Sequence, residues 1–210
     1  MMKRFLILPL AVLLCLPSLK SLEALEALEA LEALNTVEIQ GISIPPTIQL
    51  AGQTLQLNGA GLRTFTFLMV PIKIYVASLY TPTVIRSAAT ALEGSAPMEF
   101  DFTFLRAVGQ DDVTKAWSSQ FDQSVSYTYP GYARDRDTFI GMFGPLQSLG
   151  VEQVQFVGTN TVVFDQGTQK GSIPGRDFQK AFLSLWFGSK PVASDLQRAL
   201  LGRDKVTAGG

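Results

Sequence analysis

The chain has 210 residues, 47% hydrophobic and 17% charged, with a formal charge of −1, a composition that fits one globular domain with an appendage. It has no histidine, and its single cysteine, Cys15, lies within the first twenty residues. The body of the chain is thereby denied a disulfide, histidine- or cysteine-bound zinc, and Ser-His-Asp or Cys-His catalysis in their usual forms.

Met1-Met2-Lys3-Arg4 is a short positive segment, and Phe5 to Leu16 is apolar throughout. A dozen residues cannot cross a hydrocarbon core of ~30 Å as a helix, so residues 1–21 read as a signal peptide, cut between Ser18 and Ala24. The expectation is a secreted or periplasmic protein with no stable membrane span after signal removal. Leu14 is bulky where a lipoprotein signal preceding Cys15 needs a small residue, which argues against lipidation. Losing Lys3, Arg4 and Lys20 lowers the 17 basic residues to 14 against 18 acidic ones. With no Lys/Arg run either, nucleic acid is not an expected partner.

Residues 22–35 form a spacer in which Leu-Glu-Ala repeats four times. All three residue types favour helix, yet a period of three makes the leucines creep round a 3.6-residue helix without forming one stripe. The segment is either a helical stalk or low-complexity spacer, and it receives no function.

The folded domain is expected over 36–204, followed by a tail at 205–210. Val37 to Gln40 alternates, and Gly41 to Ile44 leads to Pro45-Pro46. Gln53 to Asn58 alternates again before Gly59-Ala60-Gly61, a turn or bulge signal. Leu62 to Tyr80 is rich in β-favouring residues and interrupted by Pro71, so it is two strands or one strongly bent one. Val84 to Leu92 suits a short helix stopped by Gly94. Met98 to Leu105 is the clearest strand, with Met98, Phe100, Phe102 and Phe104 on one face. Helices are predicted from Asp111 or Asp112 to Gln123 and over Arg134 to Leu149, the latter weakened by Gly141, Gly144 and Pro145. Strands follow at Val151–Val157, Thr161–Phe164 and Lys170–Ile173. Gly175–Phe187 is the strongest helix, and Ser194–Leu201 makes a last short one. The order predicts an α+β domain, an antiparallel sheet with helices packed on one face.

Any chemistry must come from Arg, Lys, Tyr, Ser/Thr, Asp/Glu or backbone groups. Arg63 stands out because a strand through Leu62–Met69 places it on the face of Phe65, Phe67 and Met69. A guanidinium there needs a carboxylate, carbonyls or a ligand, unless the strand ends and leaves it in solvent. Lys73 and Tyr75 share a face in the same reading, and Tyr75 could reach the partner of Arg63. Trp117, Phe182 and Trp186 are core residues first and cleft wall second. Tyr127, Tyr129 and Tyr132 form an aromatic loop, either a lid or ordinary surface packing.

Leu57-Asn58-Gly59-Ala60-Gly61-Leu62-Arg63 followed by Lys73 to Tyr80 resembles the glycine-x-glycine-x-arginine strand and tyrosine-bearing strand of the bacterial chalcone isomerase-like family. Gly171 to Gly175, Phe178, Leu185-Trp186-Phe187-Gly188 and Leu200-Leu201-Gly202 extend the resemblance over most of 37–202. It implies an open-faced β-sandwich, a curved antiparallel sheet with helices on it and a ligand cleft between. In the plant enzymes of this family the arginine positions a phenolate nucleophile, and in related fatty-acid-binding proteins an arginine and a tyrosine hold a carboxylate. Arg63 matches that arginine.

The other plant catalytic groups are not matched. The threonine position falls near Val70-Pro71, and Gln110 to Phe121 has neither tyrosine nor asparagine, though it holds Lys115. An arginine without its partners favours binding over cyclisation. The expected ligand is a small amphipathic or acidic molecule, such as a fatty acid, contacted by Arg63, Tyr75, Lys73, Trp117, Phe182 and Trp186. No metal and no cofactor is expected. An isomerase of the intramolecular lyase type acting on another substrate, and a structural envelope protein with a vestigial cleft, stand as alternatives.

Overall fold

The computed structural model describes residues 36–204 except 95, 96 and 126 and the side chain of Phe67. The predicted signal peptide, spacer and tail therefore lie outside the described residues. Nine strands alternate with helices in chain order: β1 Val37–Ile39, β2 Ile42–Ile44, β3 Thr47–Leu50, β4 Gln53–Phe67, β5 Val70–Thr81, α1 Ala88–Glu93, β6 Met98–Phe104, α2 Gln110–Ser124, α3 Tyr132–Ile140, β7 Val151–Val157, β8 Asn160–Asp165, β9 Thr168–Pro174, α4 Arg176–Phe187 and α5 Ser194–Leu200. Strands β3 to β9 form one curled seven-stranded sheet in strict sequence order, with every neighbouring pair antiparallel. This is the α+β architecture that the order of predicted elements required.

The sheet has two unlike faces because its strands alternate. Met98, Phe100, Phe102 and Phe104 of β6, with Val154 and Phe156 of β7, face the helices. There they meet Trp117 and Phe121 of α2, Phe139 of α3, and Phe178, Phe182 and Trp186 of α4. Rings meet edge-to-face and in offset stacks, as at Phe100 against Phe182, 5.3 Å between centroids. On the opposite face a smaller cluster joins Leu55, Ala60, Val76 and Tyr80 to Ile44 and the β1–β2 hairpin. Polar residues of β6 also point that way: Gln155 donates to Glu99 at 2.8 Å, and Gln153 to Asp101 at 3.0 Å.

Gly59-Ala60-Gly61 is no turn. The chain runs straight through it as β4, and the glycines are there because α5 lies on the backbone. A Cβ on Gly61 would stand 2.6 Å from Ala199 Cβ, and one on Gly59 would strike the Ala199 carbonyl oxygen. The bulge reading holds one residue earlier. Asn58 has no partner in β5, and its buried amide pins β4 to its surroundings, donating to Leu200 O at 2.7 Å and accepting from Ile85 N at 2.6 Å.

The stretch Leu62 to Tyr80 resolves into two strands joined at Leu68-Met69, with Pro71 near the start of β5. Five two-residue hairpin turns occur among the described residues, and four contain glycine: Gln40-Gly41, Ala51-Gly52, Gly158-Thr159 and Gln166-Gly167. The fifth puts Leu68 at φ 47° and Met69 at φ 66°. Left-handed backbone costs a residue with a side chain roughly 1–2 kcal/mol. The predicted helix over Arg134 to Leu149 is shorter than expected. It runs from Tyr132 and stops at Ile140, where Gly141 begins the breaker-rich segment.

Candidate functional site

A cavity of about 580 Å³ opens between one end of the sheet and the first half of α2. Its floor is apolar, formed by Ile72, Ile74, Phe102 and Phe104, with Val113 and Trp117 as the helical wall. Into this setting the fold places Arg63 from β4, Tyr75 from β5, Gln120 from α2 and Glu152 from β7. Their neighbourhood follows from register, since Arg63 pairs with Tyr75, Tyr75 with Phe104, and Phe102 with Glu152. Arg106, Lys115 and Asp112, all exposed, border the same cavity.

Among the described residues Arg63 forms no ion pair, and its one protein hydrogen bond goes to the adjacent Thr64 carbonyl at 2.7 Å. The cavity's other polar groups are less satisfied still. The Tyr75 hydroxyl, Gln120 Oε1 and both Glu152 carboxyl oxygens are buried without a partner at good hydrogen-bond geometry, Arg63 approaching Tyr75 and Trp117 approaching Glu152 only loosely. Only two further buried side-chain atoms among the described residues share that state, Thr161 Oγ1 and Trp186 Nε1. Orphaned buried polar atoms are rare in folded proteins and costly, so their concentration around one cavity marks it as a place for a polar guest.

Burial governs the protonation of these groups. It raises the Tyr75 phenol far above its usual range; the Arg63 charge opposes this and Glu152 adds to it. Burial likewise pushes Glu152 up to about 8, helped by the negative charge of Asp165 on the next strand and opposed by Trp117. Near neutrality Tyr75 is a neutral phenol and Glu152 is held mainly as a neutral carboxyl. Arg63 is the cationic side chain that stands beside them, where Arg106 and Lys115 are at the exposed border.

Of the residues singled out from sequence, Arg63, Tyr75 and Trp117 are brought together here. Lys73 is not. Between Arg63 and Thr64 the register slips, so that Thr64 pairs with Lys73 and Ile74 is the extra residue. One inserted residue inverts the alternation, which puts Lys73 on the face opposite Tyr75. Its ammonium donates to Gln40 Oε1 at 2.6 Å, in the β1–β2 turn. Phe182 and Trp186 are fully buried in the aromatic core and line no part of the cavity. The loop tyrosines do not line it either: Tyr127 donates to Asp177 and Tyr129 to Asp135, each at 2.9 Å.

Sequence reading missed Glu152, although the signal was available. In Val151–Val157 the buried residues are Glu152, Val154 and Phe156, so a carboxyl stands in the inward register of a strand. Gln120 shares the helical face of Val113 and Trp117 closely enough to have been found the same way.

No curated protein sequence matches the chain. Among solved structures it is similar to a fatty-acid binding protein of Arabidopsis thaliana, with a TM-score of 0.55 and 15% identity over 79% of this chain and 95% of that one. At that identity the likeness concerns the fold alone. The family model for chalcone isomerase-like proteins matches residues 36–202, which contain the whole sheet, its helices and the cavity. The chain belongs to the chalcone isomerase-like family.

Proposed function

We propose that this is an exported binding protein for a small amphipathic acid, whose carboxylate pairs with Arg63 while its apolar body lies along Ile72, Ile74, Phe104 and Trp117. The observation that carries the reading is a guanidinium without an ion-pair partner beside an unpartnered Tyr75 hydroxyl in an apolar cavity. A volume of about 580 Å³ lies within the range of small-molecule sites, roughly 300–1,000 Å³. Arg106 and Lys115 at the border raise the local positive potential against one exposed carboxylate, Asp112. The fatty-acid binding activity in the name of the Arabidopsis neighbour supports the same ligand class. Export rests on the positive and apolar N-terminal segment, and predicts a secreted or periplasmic location.

Binding is favoured over isomerisation by Arg63 with Tyr75 or Lys73, because Lys73 is on the far face and burial holds the Tyr75 phenol as a neutral group that does not give up its proton near neutrality. Titration calorimetry with dodecanoate tests the assignment. Arg63→Ala weakens binding by roughly 2–5 kcal/mol, as expected for removing one partner of a desolvated charge pair. Equal affinity in wild type and variant overturns it. Recovery of the chain from periplasmic extract, shortened by about twenty residues, tests export; a full-length cytoplasmic product refutes it.

A further inference from the structure

Past the end of β6 the β4–β5 hairpin continues alone. β6 pairs with β5 only from Tyr75 to Tyr80, and β3 pairs with β4 only from Gln53 to Gln56. Thr64–Phe67 and Val70–Lys73 therefore form a two-stranded ribbon whose edges pair with no other strand among the described residues, roughly 13 Å long at 3.3 Å per residue. Its end is apolar and bare. Phe65 is 49% exposed, Leu68 81%, Met69 93% and Val70 60%, and none of the four joins either apolar cluster. They account for four of the seven large exposed hydrophobic residues among the described residues.

The turn makes the exposure harder to read as accident. The other four hairpin turns use glycine, and only this one keeps two bulky apolar residues in left-handed backbone. An Asn-Gly pair would relieve the conformation and remove the exposed surface at once. Strain retained together with exposed apolar side chains is the mark of a surface that something else covers.

Charge identifies the cover. At the base of the ribbon stand Arg63 and Lys73, and the cavity that Phe65 and Ile72 help to line is bordered by Arg106 and Lys115. None of the four cations forms an ion pair among the described residues. Apolar side chains at a tip, with unpaired cations one step behind, match the depth profile of a bilayer whose headgroups are anionic. We propose that the β4–β5 ribbon is a membrane-docking element: Leu68, Met69 and Val70 enter the acyl boundary of an anionic lipid surface, and the exposed Lys73, Arg106 and Lys115 meet the phosphates. Because Phe65 and Ile72 belong to both ribbon and cavity, docking brings the cavity opening to the lipid surface. That consequence rests on the ligand reading; the docking itself does not.

The test uses the full chain and unilamellar vesicles of phosphatidylglycerol and phosphatidylethanolamine. In Leu68→Trp the introduced indole, placed in a lipid carrying brominated acyl chains, loses at least half of its emission, while buried Trp117 and Trp186 give a constant background. In the double variant Leu68→Asn/Met69→Gly, which keeps a favourable turn, vesicle cosedimentation falls about tenfold or more. Wild-type binding falls several-fold when phosphatidylcholine replaces the anionic lipid. An unquenched indole overturns the proposal even if the chain sediments, because residues 5–16 alone could then be holding it. Sedimentation of the double variant equal to wild type, or capture of the tip by a protein with vesicles ignored, overturns it as well. Dodecanoate affinity of the double variant in lipid-free buffer stays at the wild-type value, so loss of docking and loss of the ligand site remain distinguishable.

Discussion

The helix-facing side of the sheet has two ends made from similar residues with different outcomes. Under α4, Phe100, Phe156, Phe182 and Trp186 fill the space completely, each 1% exposed or less. Towards the N-terminal part of α2, Tyr75, Phe102, Phe104 and Trp117 surround about 580 Å³. Aromatic content does not separate the two. What separates them is coverage and polarity: at the filled end a helix with an apolar face lies across the strands, while at the other end β4 and β5 run on past their neighbours. The open end also received a guanidinium, a phenol and a carboxyl, groups that close packing without partners would have made costly. One sheet face is thus divided between a filled aromatic core and an open, polar-lined cavity.

The largest effect that could break this comparison is expected at the filled end. Phe182→Ala leaves a hole among Phe100, Phe139, Phe156 and Trp186 and costs roughly 3–5 kcal/mol by chemical denaturation. Dodecanoate affinity, measured below the unfolding transition, stays within about twofold. A large loss of affinity with small loss of stability would show that the two ends are not independent. Arg63→Ala is the converse variant, expected to lose binding and keep stability.

Glu152→Gln sharpens the comparison through pH. The carboxyl is raised from 4.5 to about 8 in the folded protein, so the folded state holds a proton that the unfolded state releases. Its contribution is complete below about pH 4.5 and is lost as pH climbs to about 8. The amide stays neutral throughout. The variant is therefore as stable as wild type near pH 4 and more stable near pH 9, by up to about 1.4 kcal/mol for each unit of the rise. Glu99 is also raised to about 8, by burial first and Asp101 second, but it is present in both proteins and cancels. Parallel stability profiles would show that Glu152 is ionised or paired in the folded state.

The smallest effect concerns the backbone that carries Arg63. Gly61→Ala forces a Cβ to 2.6 Å from that of Ala199, and overpacking of this kind costs roughly 1–3 kcal/mol. Ala199→Gly in the same chain restores part of the loss if the contact is the cause. No rescue would mean that Gly61 matters for another reason.

The strongest local patterns were legible without any structure. Met98 to Phe104 alternates so regularly that its strand and its buried face follow from period alone, and α4 follows from apolar spacing bounded by glycine. Composition left the body of the chain without imidazole or thiol groups, and Arg63 stood out as a charge on an apolar strand face. Tertiary structure decided the rest, because it depends on pairing between distant segments. One extra residue at Ile74 turned Lys73 away from Tyr75, and no local pattern announces a bulge that the partner strand imposes. Helix α5 explains Gly59 and Gly61 from about 140 residues further along the chain. Glu152 became a cavity group only when β7 was laid beside β6 and Phe102 stood opposite it. Periodicity fixes which face a side chain occupies within its own element; only packing decides whether that face meets a helix, a cavity or solvent.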